Sequence, residues 1–274
     1  MKRLLQIEAI KTLGYPVFRA IIILHFTLFL LVALVSSNFH INIQGVSIEK
    51  LFVFPHIWSV FAWFSSWFNL LLGILAIILI SNEFQFRTFR KQLIDGLTRN
   101  DLLYGKLIVF VIVALYTMIL VFVSGLIFGI INSSNFTVND FFEGLYYLPI
   151  LFVQALAYTL LAMLFAFFFR NAGLSIVMFV LFFFLVEPII RWFLPGNVDK
   201  FLPVKIIANL TPMPNFFDIT LGEMVQIQSQ HLSESTGFGL HSYSVPLWLT
   251  VVVALIYSVL FILVSSYIIK RKNF

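Results

Sequence analysis

Six stretches without a single Asp, Glu, Lys or Arg constrain this chain more than any other feature. They run from Ala20 to Ile48, Leu51 to Asn82, Leu107 to Asn139, Gly144 to Phe169, Asn171 to Val186 and Ser235 to Ile269. A helix needs about 20 apolar residues to cross roughly 30 Å of hydrocarbon. Inside hydrocarbon only helices and closed barrels satisfy their own backbone. Trimming the polar ends predicts six spanning helices near 18–37, 57–81, 105–131, 146–169, 172–191 and 246–269, the fifth reaching full length only with Glu187 inside it. The fold class that follows is an all-α integral membrane protein. Composition agrees, with 61% hydrophobic and 11% charged residues, where soluble domains carry about 45–50% and about 25%. The first apolar run is too long for a signal-peptide core and no small-residue cleavage site follows it.

The net charge of +5 would suit nucleic acid, but the basic residues flank apolar stretches as membrane topology requires, which leaves no nucleic-acid reading. Six spans bring both termini to one side. The 1–19 segment, the 82–106 connection, Arg170 and the C-terminal tail put 13 Lys and Arg there, against Lys50, Arg191, Lys200 and Lys205 opposite. Positive charge stays inside, so both termini are expected in the cytoplasm. Trp58, Trp192, Trp248, Tyr146 and Tyr147 fall at the outer ends, where amphipathic rings favour the interface.

Three segments do not span. Residues 1–16 read as an amphipathic interfacial helix, with Leu4, Ile7, Ile10 and Leu13 along one face and Pro16 closing it. Between spans two and three, Phe86, Phe89, Leu93 and Leu97 recur at helical spacing among Arg87, Arg90 and Lys91, which predicts a helix over 83–96. Gly96 suits its C-terminus, and Thr98 with Asp101 has the form of a capping box for span three. A helix of this length where a short turn would suffice points to a docking element. The 192–245 segment carries Pro195, Pro203, Pro212 and Pro214 among apolar patches at 201–210 and 216–224. It reads as short outer re-entrant helices buried against protein.

In residues 81–106 the order Glu83, Arg87-Thr88, Leu93, Gly96-Leu97, Arg99 and Lys106 resembles the permease subunits of ABC-2 type ATP-driven exporters. The form is similar to members from Bacteroidota-type bacteria. In that family an acidic residue ends the second span, a Gly/Arg-Thr pair follows, and a leucine-rich turn leads to Arg and Lys. The topology resembles it along the whole chain. The resemblance implies that the 83–96 segment is a coupling helix seated in a cleft of a separate ATPase subunit. Glu83, Phe84, Phe86, Arg87, Thr88, Phe89, Arg90 and Leu93 would be the coupling residues. It further implies two ATPase copies, a second permease (identical or related) and a bacterial cytoplasmic (inner) membrane. Phe89 departs from the small or aliphatic residue of many relatives.

Chemistry-bearing residues are few. The one Gly-Lys pair, Gly105-Lys106, is followed by Leu107 and preceded by Asn100 at the first glycine position, so no phosphate-binding loop exists. The chain is read as a non-enzyme that binds no cofactor or metal, with ATP and Mg belonging to the partner. Glu187 is the one carboxylate well inside a span. Four residues before Arg191, it is expected either to form an i,i+4 ion pair in a gating element kinked by Pro188, or to touch substrate. His25, Asn69, Gln154 and Thr117 read as helix-to-helix hydrogen bonders, and Gly125-x-x-x-Gly129 as a close-packing pair, inside the bundle or at a dimer seam. With no cysteine, disulfides and thiolate sites are absent. The aromatic, nearly uncharged spans lean toward an amphipathic, lipid-like, peptide or drug substrate. Two alternatives stay open: a non-transporting anchor or sensor coupled to an ATPase, and a gradient-driven secondary transporter using Glu187; a lipid-linked transferase would need converging carboxylates, and Glu83, Asp95 and Asp101 are spread along a helix and a cap.

Overall fold

The computed structural model describes residues 2–38, 42–43, 46–47, 51–133, 136–195, 198–214 and 245–271. In chain order the described helices are α1 (Lys2–Gly14), α2 (Pro16–Asn38), α3 (Ile57–Gln85), α4 (Thr88–Ile94), α5 (Arg99–Asn132), α6 (Val138–Phe142), α7 (Tyr147–Phe169) and α8 (Ala172–Leu181). A π-helical turn over Phe182–Val186 joins α8 to α9 (Glu187–Phe193), and α10 (Pro203–Ala208) and α11 (Leu247–Arg271) follow. A two-residue antiparallel ladder pairs Asn42 with Ser47 and Ile43 with Val46. Among the described residues, six helical segments are long and apolar enough to cross a membrane: α2, α3, α5, α6–α7, α8–α9 and α11. The protein is an all-α, multi-pass membrane protein.

Two spans run further than hydropathy alone predicts. At about 1.5 Å per residue, the 29 residues of α3 and 34 of α5 exceed about 30 Å of hydrocarbon by several turns. Both extensions lie at the end where the termini gather, here termed the basic end. α5 starts at Arg99 because Thr98 and Asp101 close a capping box, with Asp101 N–H donating to Thr98 Oγ1 at 3.2 Å and Thr98 N–H to Asp101 Oδ2 at 2.9 Å. The π turn has a local cause as well. Pro188 lacks an amide hydrogen and crowds the carbonyl one turn back, and the widened ladder just before it absorbs the mismatch.

α7 is the central helix, packed first against α3 and then against α11 and α5. Its buried Ala155, Ala157, Ala162 and Ala166 let these neighbours come close. The half of the core away from the basic end is aromatic: Phe29, Phe54, Trp58 and Phe61 are buried. Trp58 corrects the interfacial expectation. It is fully enclosed, stacked on Phe122, and its Nε1–H donates to the Phe141 carbonyl at 3.0 Å. Trp192, Trp248 and Tyr146 are exposed, as amphipathic rings at an interface would be.

The glycines of α5 hold rings rather than another backbone. A Cβ on Gly125 would lie 2.9 Å from the Trp58 ring, and one on Gly129 would overlap the Phe54 ring. The pair thus packs within the bundle and is filled by aromatic side chains. Gly73 of α3 does the same for Phe179 of α8, whose ring would be 2.7 Å from an added Cβ. Gly129→Leu and Gly73→Leu should each lower stability by about 1–3 kcal/mol through overpacking. Gly14→Ala, with nothing within 4 Å of the new methyl, should leave it unchanged. Thermal melting in detergent distinguishes these outcomes.

Candidate functional site at the basic end

Helix α3 ends where its backbone turns left-handed. The Phe86 amide still donates to the Asn82 carbonyl at 2.8 Å, but Arg87 adopts φ 54°. For a residue with a Cβ this conformation costs about 1–2 kcal/mol. Thr88 Oγ1 donates to the Glu83 carbonyl at 3.2 Å across the break. The helix expected over 83–96 is therefore α4 alone, Thr88–Ile94, and Glu83 to Gln85 belong to span two. α4 ends in a paired-bond cap: Gly96 N–H donates to the Leu93 carbonyl at 3.2 Å and Leu97 N–H to the Gln92 carbonyl at 3.0 Å, with Gly96 at φ 92°.

α4 is bound to the bundle by one face. Phe89 is fully buried, its ring 4.9 Å from that of Phe84 and 6.3 Å from that of Phe167 on α7. Leu93 packs against the same cluster. Phe89 is thus unavailable to another subunit in this conformation, a correction to its reading as a contact residue. Its size reflects the hole it fills between α3 and α7. Phe84 is half-buried beside it. Exposed around α4 are Phe86 (67% exposed), just before it, and Ile94 (76% exposed), at its end, with Arg87, Arg90 and Lys91. Exposed apolar and basic residues thus stand together on the 86–94 segment.

Glu83 turns inward. Its Oε1 takes the ammonium of Lys106 on α5 and, at 3.4 Å, that of Lys11 on α1. Lys106 also reaches Glu8 Oε2 at 2.7 Å, and Lys11 lies 3.3 Å from Glu8 Oε1. Four formal charges cancel in a site where Glu8, Glu83 and Lys106 are all more than nine-tenths buried. α1 therefore docks on the bundle through its polar side, with Glu8 and Thr12 buried and Ile10 and Leu13 exposed. The charged face, expected to face water, is the face that packs. Neither Glu8 nor Lys106 was legible as a site residue. The available signal was a Glu in the interfacial segment that could balance Lys106 at the start of the predicted third span. Arg99 ties in α11 by donating to the carbonyls of Ile269 and Lys270.

A cavity of about 740 Å³ opens beside α4, lined among others by Glu83, Arg87, Arg90, Arg170, Asn171 and Gly173. The Arg170 guanidinium stands 5.5 Å over the Phe84 ring. Arg170 joins α7 to α8 at φ 56°, a second left-handed arginine.

The remaining sequence candidates gather at the far end. Glu187 is buried, and no ion pair with Arg191 forms among the described residues. Its Oε2 accepts the Val204 amide at 2.8 Å and its Oε1 the Lys205 amide at 2.7 Å. These are the first free amides of α10, whose N-cap Leu202 offers no side-chain acceptor. Both carboxylate oxygens are taken by amides at a helix start, where a negative charge is favoured. Lys205 instead donates to Asp199 at 2.8 Å, which with nearby cations holds that carboxyl below its usual range against the pull of burial. At the other end of α10, Gln154 Nε2 donates to the Ile207 carbonyl at 2.9 Å, while its Oε1 accepts from Asn69 at 3.2 Å and Thr211 at 3.1 Å. His25 faces Tyr116 across helices at 3.5 Å, whereas Thr117 bonds only to its own helix at Val113. The 216–224 patch lies outside the described residues. No metal-binding cluster occurs among the described residues.

Lys106→Met should cost about 3–5 kcal/mol, because two buried carboxylates are left with one half-exposed lysine. Adding Glu83→Gln restores neutrality and should recover much of that loss, a non-additivity readable by denaturation in detergent. Glu187→Gln leaves one carbonyl for two amides and should cost about 1–3 kcal/mol.

A family model described as ABC-2 family transporter protein matches residues 4–186, more than half of the chain. No curated protein matches the sequence.

Proposed function

Because this chain belongs to the ABC-2 transporter family, whose members are membrane components without a nucleotide-binding domain and generally work with ABC ATPases, we propose that it is the permease subunit of an ATP-driven exporter in a bacterial inner membrane. Two copies, or one copy and a related chain, would enclose the translocation path, and two ATPase subunits holding ATP and Mg would drive it. The basic end would face the cytoplasm with both termini.

The observation that carries this reading is the set of exposed residues on the 86–94 segment. Phe86 and Ile94 stand out from the bundle beside Arg87, Arg90 and Lys91, while α4 is anchored through Phe89. An element that is apolar outward and rigid inward suits force transfer from a partner. A displacement of α4 would reach α3 and α7 through Phe84, Phe89 and Phe167, and α1 and α5 through the Glu83–Lys106 cluster. The cargo would be amphipathic, lipid-like, peptide or drug-like, in keeping with the uncharged aromatic spans.

A gradient-driven transporter built on Glu187 fits less well, since both carboxylate oxygens already hold α10 amides. An ATPase-coupled anchor or sensor would use α4 in the same way and is separated from an exporter by substrate flux in vesicles.

Co-purification from the native host tests the docking. Wild-type chain should bring down a stoichiometric Walker-motif protein in mild detergent. Phe86→Asp or Ile94→Asp should abolish that while leaving the melting temperature unchanged. Phe89→Asp should instead unfold the basic end. Isolation of the wild-type chain alone in several detergents would sink the proposal. Since the chain has no cysteine, single cysteines at Gln6 and Gln228 report sidedness directly. The first should react only with membrane-permeant maleimide in intact cells, and the second with impermeant reagent too.

A further inference from the structure

We propose that the cavity between α4 and the α7–α8 turn is a binding site for the phosphate of a membrane phospholipid. Arg87, Arg90 and Arg170 are among its lining residues, the Arg170 guanidinium over the ring of Phe84, which also lines it. Their planar forks match phosphate oxygens better than any other side chain. The one carboxylate in the wall, Glu83, is balanced from behind by Lys106 and Lys11, so the cavity keeps its positive charge. A helix start adds to it. Asn171 caps α8 by accepting the Leu174 amide at 3.2 Å, and the amides of Ala172 and Gly173, ahead of it, have no acceptor within the helix. Both residues line the cavity. Gly173 keeps the approach open: a Cβ there would meet only the Asn171 side chain, at 3.5 Å. Amides at the positive end of a helix favour an anion.

The surroundings make that anion a lipid's. From the cavity α8 continues as part of a spanning segment, and Leu174, Val177 and Leu181 on it are exposed and apolar. A phosphate seated among the arginines lays its acyl chains along that surface. Basic pockets between spanning helices take phospholipid headgroups for this reason. About 740 Å³ lies within the range of ligand-sized pockets, roughly 300–1,000 Å³. The site shares Arg87 and Arg90 with the surface that the exporter reading assigns to an ATPase, whereas Arg170 and the α8 start lie apart from that surface, so variants there separate the two.

The test is a melting titration of the full chain in detergent with phosphatidylglycerol in mixed micelles, and separately with inorganic phosphate. Phospholipid retained through purification is assayed as phosphorus. The variants are Arg170→Gln, which removes one guanidinium, and Gly173→Leu, which fills the cavity and keeps all three. Arg271→Gln is the control, a basic-end arginine set over the Tyr267 ring at 4.7 Å and outside the cavity. Phosphatidylglycerol should raise the melting temperature of wild type and control alike. Half-saturation should need about tenfold more lipid in either cavity variant, the order expected for one charge-assisted bond, and retained phosphorus should fall with it. Equal responses in all four proteins would overturn the proposal. So would inorganic phosphate matching the lipid at the same concentration, which would make the cavity a soluble-anion site. Loss of a co-purifying ATPase in Arg170→Gln with an unchanged lipid response would assign the cavity to a protein partner and overturn it too. If Arg170→Gln does not fold, Gly173→Leu decides alone.

Discussion

The neutral cluster of Glu8, Lys11, Glu83 and Lys106 is the constraint on which the basic end depends. Removing ions from water costs several kcal/mol each, and only good geometry with full pairing offsets that. Here Lys106 spans two carboxylates from different helices, and Lys11 touches both again from the rim. A slip of α1 along α5 by one turn would leave a buried carboxylate facing hydrocarbon. Apolar contacts could tolerate such a slip; ion pairs cannot. The cluster thus sets the register of α1, α3 and α5 against one another, and α4 inherits its position from the end of α3. The outward placement of Ile10 and Leu13 follows from the same choice, because the polar side of α1 is committed to the interior.

The far end uses the opposite device. α10 is only six residues long, too short to be stable on its own, and side chains of other helices satisfy both its ends. Glu187 takes the first amides and Gln154 the last carbonyls. Non-spanning backbone is tolerated at membrane depth only when buried in protein in this way. Glu187 therefore reads as a capping group that happens to be ionisable. Its presence in a span is explained by the helix start it faces, without a proton path or a substrate contact.

The six spans and their order were legible because hydrocarbon leaves so few options for a charge-free stretch of twenty residues. The capping box at Thr98 and the stop at Gly96 were legible because both are local, set by residues three or fewer positions apart. What escaped is long-range. Glu83 reads as the start of a cytoplasmic helix until Lys106 and Glu8 are seen across from it. Phe89 reads as one of a row of phenylalanines until Phe167 closes the hole it fills. Trp58 has the sequence position of an interfacial ring, yet Gly125 and the Phe141 carbonyl make a closed slot for it. In each case spacing along the chain identified the residue, and only packing between helices decided which way it faced.

The two ends differ in stiffness for physical reasons that bear on transport. At the basic end α3, α4 and α7 share an aromatic triad, and α1, α3 and α5 share the ion cluster, so these helices resist relative motion. Along the fifth span the ladder is interrupted by the π turn at Phe182–Val186 and then by Pro188, and α10 hangs on hydrogen bonds rather than on continuous helix. A force entering at α4 meets a rigid block first. It would find its compliance where the fifth span is segmented, on either side of Glu187. Local π turns and prolines are where helices bend at least cost. The bendable joint thus lies away from the exposed 86–94 segment, the arrangement a lever would need if a partner pushed there.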